Sequence, residues 1–545
     1  MGNRSTPQWR PRSCWDTGGF EEFVSWGIGI SLNCSLSFGQ AQPIICPDMP
    51  RQAIFILTDT QGTDVIGCYG RSDMKTPHID RMASEGIRFD RAYSTQPVCG
   101  PARSAIFTGM YPHSNGVLGN DMAPALDMKT LGQRLSDSGA RTGFVGKWHL
   151  DGTDYFGNGI CPEGWDPEYW FDGRCYLDSL KDKSERDFSR LVPTAQDMRD
   201  RGFDETFTMA HRSADKAIEF IERYKDEDFF LVVSIDEPHH PFICPAEYLE
   251  AFDGFEYKLG ENAKDDLADK PQSQRDWAEH VAEFMGDGEV FRLDPFFACN
   301  SYCDYEVGRV LGAIDKWIPN ALSVYTSDHG DMLGAHRLLG KGPTMYDEIA
   351  KIPFIVKWKG STPEASCVDR PISHIDLAPT FLEFFGQDIP EILQGESLLP
   401  IFVNPSACSR EQAFLEFNRF ELDHDGFGAL SLTRCVVTQR YKLAINLTDK
   451  DELYDLETDP SEMRNLIDDP ALAELRNGLH DEITAWMDRT RDPFRGPQWK
   501  NRKWRDQGVK SWGGPTRPHP FDGYNPRSLL YDTAEEIDRL VYEKH

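Results

Sequence analysis

The stretch Ala53-Ile-Phe-Ile-Leu-Thr-Asp59 is five apolar residues that run directly into a threonine and an aspartate. An apolar run without polar alternation suits a strand buried on both faces of a sheet. Three further runs repeat the pattern. Thr142–Val145 leads into Lys147 and His149, Phe229–Ile235 into Asp236 and His239, and Ala321–Tyr325 into Asp328 and His329. Helical patterns lie between them. Thr76-Pro77 offers a cap and first position, ahead of Ile79, Met82 and Ala83, with Gly86 as the stop. His211–Tyr224 and Asp376–Phe385 also read as helices. This alternation predicts an α/β fold, a large mostly parallel or mixed sheet flanked by helices. Ligands of open α/β sheets bind beyond the carboxyl ends of the strands, so four ends carrying His, Lys and Asp predict one shared site. Any one of these residues alone reads equally well as an ordinary loop residue.

Outward from the strands the composition changes. Residues 155–205 and 250–295 are charged, with Trp, Tyr and Asp interspersed, and read as insertions rather than core. Near Arg434 a shorter β-rich pattern begins, including Tyr441-Lys-Leu-Ala-Ile and Glu452-Leu-Tyr-Asp-Leu, followed by a helix at about Ala471–Met487. The expected division is an extension over 1–50, a main domain over 51–430, a smaller C-terminal α+β unit over 431–490 and a surface tail over 491–545. The extension has a basic start and a mildly apolar stretch, Phe23–Leu36, behind Glu21 and Glu22; it reads as a disordered segment or an atypical signal, too polar to span a membrane. The 545 residues include 58 basic and 89 acidic ones, a formal charge of -31 that repels nucleic acid and anionic membranes. Any anion bound here therefore needs a local basic cluster. The 13 cysteines show no spacing that reads as a zinc site or a disulfide framework. Asn3, Asn33 and Asn446 stand in glycan-acceptor contexts.

Cys99-Gly-Pro-Ala-Arg103, followed by Thr108-Gly109, is the sharpest chemical signal. Pro101 suits the first turn of a helix, which puts Cys99 at an N-terminus where free N–H groups favour negative charge. Arg103 would lie one turn on, near the same anion. In isolation the pentapeptide reads better as a buried cysteine before a proline-started helix.

The chain resembles the sulfatase family from about residue 51 to 490, and the resemblance rests on five motifs in order. They are Cys99-Gly-Pro-Ala-Arg103 with Thr108-Gly109; Gly146-Lys147-Trp148-His149; Pro238-His239-His240-Pro241-Phe242; Ser327-Asp328-His329-Gly330 with His336 and Gly340-Lys341; and Glu452-Leu-Tyr-Asp-Leu-Glu-Thr-Asp-Pro460. The resemblance implies an alkaline-phosphatase-like fold and a sulfuric ester hydrolase. It implies that a formylglycine-generating enzyme converts Cys99 to formylglycine, whose hydrate supplies a nucleophilic hydroxyl and a second hydroxyl that later expels sulfate. It also implies one divalent metal held by Asp59, modified Cys99, Asp328 and His329, calcium first, with manganese or magnesium in relatives that share the Asp-His pair. Arg103 and Lys147 would stabilise the nucleophile, His149 would orient its second hydroxyl, and His239 and Lys341 would contact sulfate, one of them protonating the leaving alcohol. His336 and His240 are expected to be neighbours rather than ligands. One departure stands out: many sulfatases carry two adjacent aspartates after the first strand, and this chain has Asp59-Thr60-Gln61.

The expected substrate is a small-molecule or oligosaccharide sulfate ester. Gly164-Trp-Asp-Pro-Glu-Tyr-Trp170 and Asp172-Gly-Arg174 combine aromatic and charged groups and are expected to line the pocket; the alternative is that they pack the insertion onto the domain. The rival activity is a phosphonate monoester hydrolase or phosphodiesterase on the same scaffold. A catalytically silent carbohydrate-binding protein is disfavoured, because every expected catalytic position is occupied.

Overall fold

The computed structural model describes residues 50–282, 290–291, 293–418 and 431–505. The sequence expectations for the extension up to residue 49 and for the tail beyond 505 lie outside the described residues. Eight strands form the main sheet. In chain order they are β1 (Gln52–Thr58), β2 (Ile87–Phe89), β3 (Arg141–Gly146), β4 (Trp170–Phe171), β5 (Phe229–Ser234), β6 (Leu322–Ser327), β7 (Phe354–Lys357) and β8 (Ser366–Val368). Their spatial order is β8-β2-β7-β6-β1-β5-β3-β4. Only β7 runs against its neighbours; the remaining pairs are parallel.

Alternate residues of β1 enter different cores. Ile54 and Ile56 join one apolar cluster, and Ala53, Phe55 and Leu57 join the other. That is why the run is apolar at every position: period-two side chains point to both faces, and both faces are covered. On the first face lie α1 (Pro77–Ser84), α3 (Met209–Tyr224) and the long α4 (Asp294–Trp317); on the second lie α2 (Cys99–Thr108) and α5 (Leu377–Phe384). The predicted helix from Pro77 is present, but the Thr76 hydroxyl does not cap it; it accepts the Gly67 N–H at 2.8 Å. Gly86 is required by close approach, since a Cβ there would meet the Val356 carbonyl oxygen at 2.1 Å.

The segment 155–205 is a correction to the sequence reading. It contributes strand β4 to the main sheet, and Phe156, Tyr169, Phe171, Tyr176 and Leu177 are buried in the first core. Its charged surface masks an apolar inner face. Trp165 and Trp170, expected on a pocket wall, instead pack with Phe107, Phe144 and Trp148 inside the second core.

A second, antiparallel sheet is built in sequential order from β9 (Gln412–Phe417), β10 (Thr433–Thr438), β11 (Tyr441–Asn446) and β12 (Glu452–Asp455), with α6 (Ala473–Arg489) packed on it. Its first strand comes from before residue 431. Asn446, a glycan acceptor by sequence context, is buried, and its amide donates to Lys450 and Glu452. Among the described residues no helix is long and apolar enough to cross a membrane.

Candidate active site

Strand register sets the site. Thr58 pairs with Ser327, Leu57 with Ser234, and Ser234 with Gly146, so β1, β6, β5 and β3 end level with one another. Asp59, Asp328, Asp236 and Lys147 therefore emerge side by side. Gly146 permits the close approach of β3 and β5, because a Cβ there would meet the Ser234 carbonyl oxygen at 1.8 Å. Two non-glycine residues at this edge, Thr60 and His149, adopt left-handed backbone with φ of 61° and 58°. Such conformations carry strain and persist where the surroundings demand them.

Cys99 is the first residue of α2, as its spacing from Pro101 predicts. Its Sγ lies 3.2 Å from His329 Nε2, 3.6 Å from Asp59 Oδ1 and 2.9 Å from Lys341 Nζ. Arg103, one turn on, is fully buried and spans the two carboxylates: Nη2 donates to Asp59 Oδ2 at 3.0 Å and Nε to Asp328 Oδ2 at 2.9 Å. Its Nη1 donates to the Lys147 carbonyl and to Ser234 Oγ. Arg103 thus contacts the carboxylates that surround Cys99 and not its sulfur.

Lys147 Nζ lies 2.9 Å from both Asp59 and Asp236, close charge contacts that are not aligned as hydrogen bonds. His149 faces Cys99 on one side, and its Nε2 lies 3.4 Å from Asp121 Oδ1 on the other. His239 Nε2 stands 3.4 Å from Lys341 Nζ, and its Nδ1 donates to the His240 carbonyl. The structure thus brings Asp59, Cys99, Arg103, Lys147, His149, His239, Asp328, His329 and Lys341 into one contact network. His336 stands apart, paired with Asp265 and stacked on Tyr346, and His240 is exposed.

The electrostatics follow from packing charges without water. Burial opposes ionisation of Asp59, yet Lys147, His239, Arg103 and His329 together hold its carboxyl well below the usual range. Burial and the Asp59 charge push Asp328 up. Burial and Asp59 likewise resist a Cys99 thiolate, but Lys341, Lys147 and His329 win and lower the thiol well below its ordinary value. Burial disfavours a charged His149, and its hydrogen bonds to Asp121 and Cys99 outweigh this and raise it.

Asp59, Cys99, Asp328 and His329 are all buried and offer donor atoms within 4.8 Å of one another. Two carboxylates, an imidazole nitrogen and the Cys99 position form a donor set that fits a hard dication. Thr60 and Gln61 add nothing to it. The Thr60 hydroxyl donates to Asp59 Oδ1 at 2.8 Å, and Gln61 is engaged by Asn300 and Tyr325.

Residue-by-residue reading overlooked several neighbours. Asn120 accepts the Gly100 N–H through Oδ1 at 2.9 Å, which turns its buried Nδ2 toward no acceptor among the described residues. Asp121 holds His149, and Tyr155 packs on His239. The only sequence signal for the first two is a turn-like Gly119-Asn120-Asp121, which occurs in many loops.

The family profile described as Sulfatase matches residues 51–387. The chain is 45% identical over 484 residues to the Escherichia coli (strain K12) sulfatase YidJ, described as uncharacterized, covering 88% of this chain and 96% of that one. The chain belongs to the sulfatase family. A second profile, N-sulphoglucosamine sulphohydrolase, C-terminal, matches residues 334–489, so the antiparallel sheet of this sulfatase is also a family feature. An N-acetylglucosamine-6-O-sulfatase of Bacteroides thetaiotaomicron is 27% identical, over 76% of this chain and 82% of that one. The fold recurs in a structure solved with its substrate D-glucosamine-2-N,6-O-disulfate, with TM-score 0.67 and 24% identity over 83% of this chain and all of that one. It recurs equally in a phosphonate monoester hydrolase of Agrobacterium radiobacter, with TM-score 0.65 and 20% identity over 81% of this chain and 96% of that one.

Proposed function

We propose that this sulfatase hydrolyses a sulfate ester on a carbohydrate, using a formylglycine made from Cys99 by a formylglycine-generating enzyme. The observation that carries the reading is the position of Cys99 at a helix N-terminus, in contact with His329 and Lys341 and enclosed by Asp59 and Asp328. Cys99 Sγ marks where the hydroxyls of the formylglycine hydrate would lie. A dication held by Asp59, Asp328, His329 and the modified residue would supply charge neutralisation to the nucleophile and sulfate. Calcium is first in this reading, and the imidazole donor keeps manganese and magnesium as alternative outcomes of metal analysis.

The chain's own residues then divide the work. Arg103 holds the two carboxylates in place, and Lys147, fixed between Asp59 and Asp236, directs positive charge at residue 99. One hydroxyl of the hydrate, having given its proton to water under the charges of Lys147 and the dication, would form the new bond to sulfur as the ester S–O bond breaks. The alcohol leaves with a proton from His239 or Lys341, the pair at the mouth of the network. His149, oriented by Asp121, then takes the proton of the second hydroxyl. The aldehyde C=O re-forms, the C–O bond to sulfate breaks, and water restores the hydrate. Sulfate esters hydrolyse very slowly unaided, and this concentration of cationic groups in a site shielded from water suits the charge that develops.

Carbohydrate is favoured by the similarity to sulfatases that act on glucosamine sulfates and by the net charge of -31, which suits a sugar or sparsely sulfated oligosaccharide better than a dense polyanion. Phosphonate monoester or phosphodiester hydrolysis is the second reading, favoured by Thr60 standing where many sulfatases have a second aspartate. Two measurements test the proposal. Mass spectrometry of the peptide containing Cys99 should find the lighter aldehyde, and aryl sulfate should be turned over in preference to aryl phosphonate and phosphodiester. An unmodified thiol in the native host sinks the mechanism; a strong preference for phosphorus transfers the function to the second reading.

A further inference from the structure

We propose that Tyr155 is the specificity-determining wall of the leaving-group side, and that the alcohol it receives carries a six-membered ring that packs on the tyrosine. The inference rests on the ester-hydrolysis reading above and adds the recognition of the alcohol.

Tyr155 lies in the loop that follows Lys147 and His149. Its ring centroid is 5.3 Å from Lys147 Nζ and 5.7 Å from the His239 ring. His239 is 3.4 Å from Lys341, itself 2.9 Å from Cys99 Sγ. The tyrosine is therefore one ring beyond the pair that flanks the departing oxygen, and it is only partly buried.

The ring is also held before any ligand arrives. Phe156 packs against it with ring centroids 4.2 Å apart and planes tilted by 34°, and is covered in turn by the Arg190 guanidinium at 4.3 Å. Asp151 accepts the N–H groups of Thr153 and Asn158, Asp154 accepts that of Phe156, and Asp172 accepts that of Gly159. Four carboxylate contacts in so short a loop fix its backbone. An aromatic surface pre-set beside a reaction centre costs little ordering on binding, and it discriminates by shape rather than by charge. Trp165 and Trp170 lie in the core, so the aromatic face that the sequence promised to a sugar ring is supplied instead by Tyr155.

The test compares Tyr155→Phe, Tyr155→Leu and Tyr155→Ala with the wild type on glucosamine 6-sulfate, 4-nitrophenyl sulfate and ethyl sulfate, with inorganic sulfate as competitive inhibitor. Loss of the aromatic face should raise KM for the two ring-bearing esters about tenfold, with kcat and the inhibition constant of sulfate little changed. Ethyl sulfate should be insensitive, and Tyr155→Phe should behave as wild type. Tyr155→Leu keeps apolar bulk against Phe156, so the comparison survives if the alanine variant fails to fold. An equal loss on ethyl sulfate, or a parallel loss of sulfate affinity, overturns the proposal, because the ring would then serve Lys147 and His239 rather than the alcohol. The same variants are assayed on 4-nitrophenyl and ethyl esters of methylphosphonate. Absence of wild-type sulfate turnover would sink the sulfate reading, while the aryl-to-ethyl contrast on phosphonate would still support or refute Tyr155.

Discussion

Lys341 Nζ stands 2.9 Å from Cys99 Sγ although 242 positions separate the two residues. The approach depends on the turn after β6, where Asp331 accepts the N–H groups of Leu333 and Gly340 and folds the chain back on itself. A charge delivered this way acts strongly, because Cys99 is buried and Lys341 is half-buried beside it. Lys341→Ala should lower kcat for an aryl sulfate by about 10²–10³-fold, the usual cost of removing one preorganised stabilising donor. Steady-state kinetics with unchanged thermal unfolding would support this; a loss smaller than about threefold would leave Lys341 without a role in the reaction.

Arg103 presents a different expectation, for stability as well as rate. Its side chain and both carboxylate partners are fully buried. Arg103→Ala would strip Asp328 of its closest buried cation and leave Asp59 with Lys147 as its one cation at hydrogen-bond range among the described residues, a defect worth about 3–5 kcal/mol. Arg103→Lys should recover only part of it, because an ammonium cannot reproduce the planar fork between Asp59 and Asp328. Urea unfolding measures both, and an alanine variant as stable as wild type would contradict the assignment.

Metal dependence is predicted to track the buried cluster. Elemental analysis of wild type should find one dication per chain, and Asp328→Asn or His329→Ala should lose it together with activity. Chelation should also lower the unfolding temperature, since a ligand bound only by the folded state stabilises it by mass action. Identical melting curves with and without chelator would argue against a resident ion.

Cys99→Ser and Cys99→Ala should both abolish turnover with stability changes of about 1 kcal/mol or less, since neither can form the hydrate that expels sulfate. Product analysis over many hours is the check. Multiple turnovers by the alanine variant would remove residue 99 from the reaction.

Glu237 governs a pH effect. Its Oε1 accepts the Ala210 N–H at 3.0 Å, and burial, then the charge of Asp236, push its carboxyl from 4.5 up to about 8. The unfolded chain releases this proton near 4.5 and the folded chain only near 8. The stability the group lends is therefore complete below the lower value and is lost progressively as pH rises to the higher one. Glu237→Gln, which cannot ionise, should gain stability relative to wild type across that window, by at most about 5 kcal/mol. Urea titrations at several pH values test it; a difference independent of pH would refute it.

Strands were legible because burial on both faces leaves an unbroken apolar run with a polar end. The same logic failed for the segment 155–205, where buried Tyr169, Phe171 and Tyr176 are interleaved with surface charges and no period survives. It failed again for Thr76, a good cap by type whose hydroxyl is taken by Gly67. Asp121 and Tyr155 carried no periodic mark at all, since loop residues owe their positions to tertiary packing.

By itself the order of residues determined which groups lie at strand ends and at the start of α2, because strand and helix periods are local properties of the chain. It also determined that an acidic molecule would need a private basic patch. Only the tertiary structure decided that Arg103 would clamp carboxylates rather than reach the nucleophile, and that Tyr155 would stand beside Lys147 and His239 while Trp165 and Trp170 enter the core. Those outcomes depend on the register of parallel strands and on which side chains the two cores absorb, quantities set by segments hundreds of positions apart.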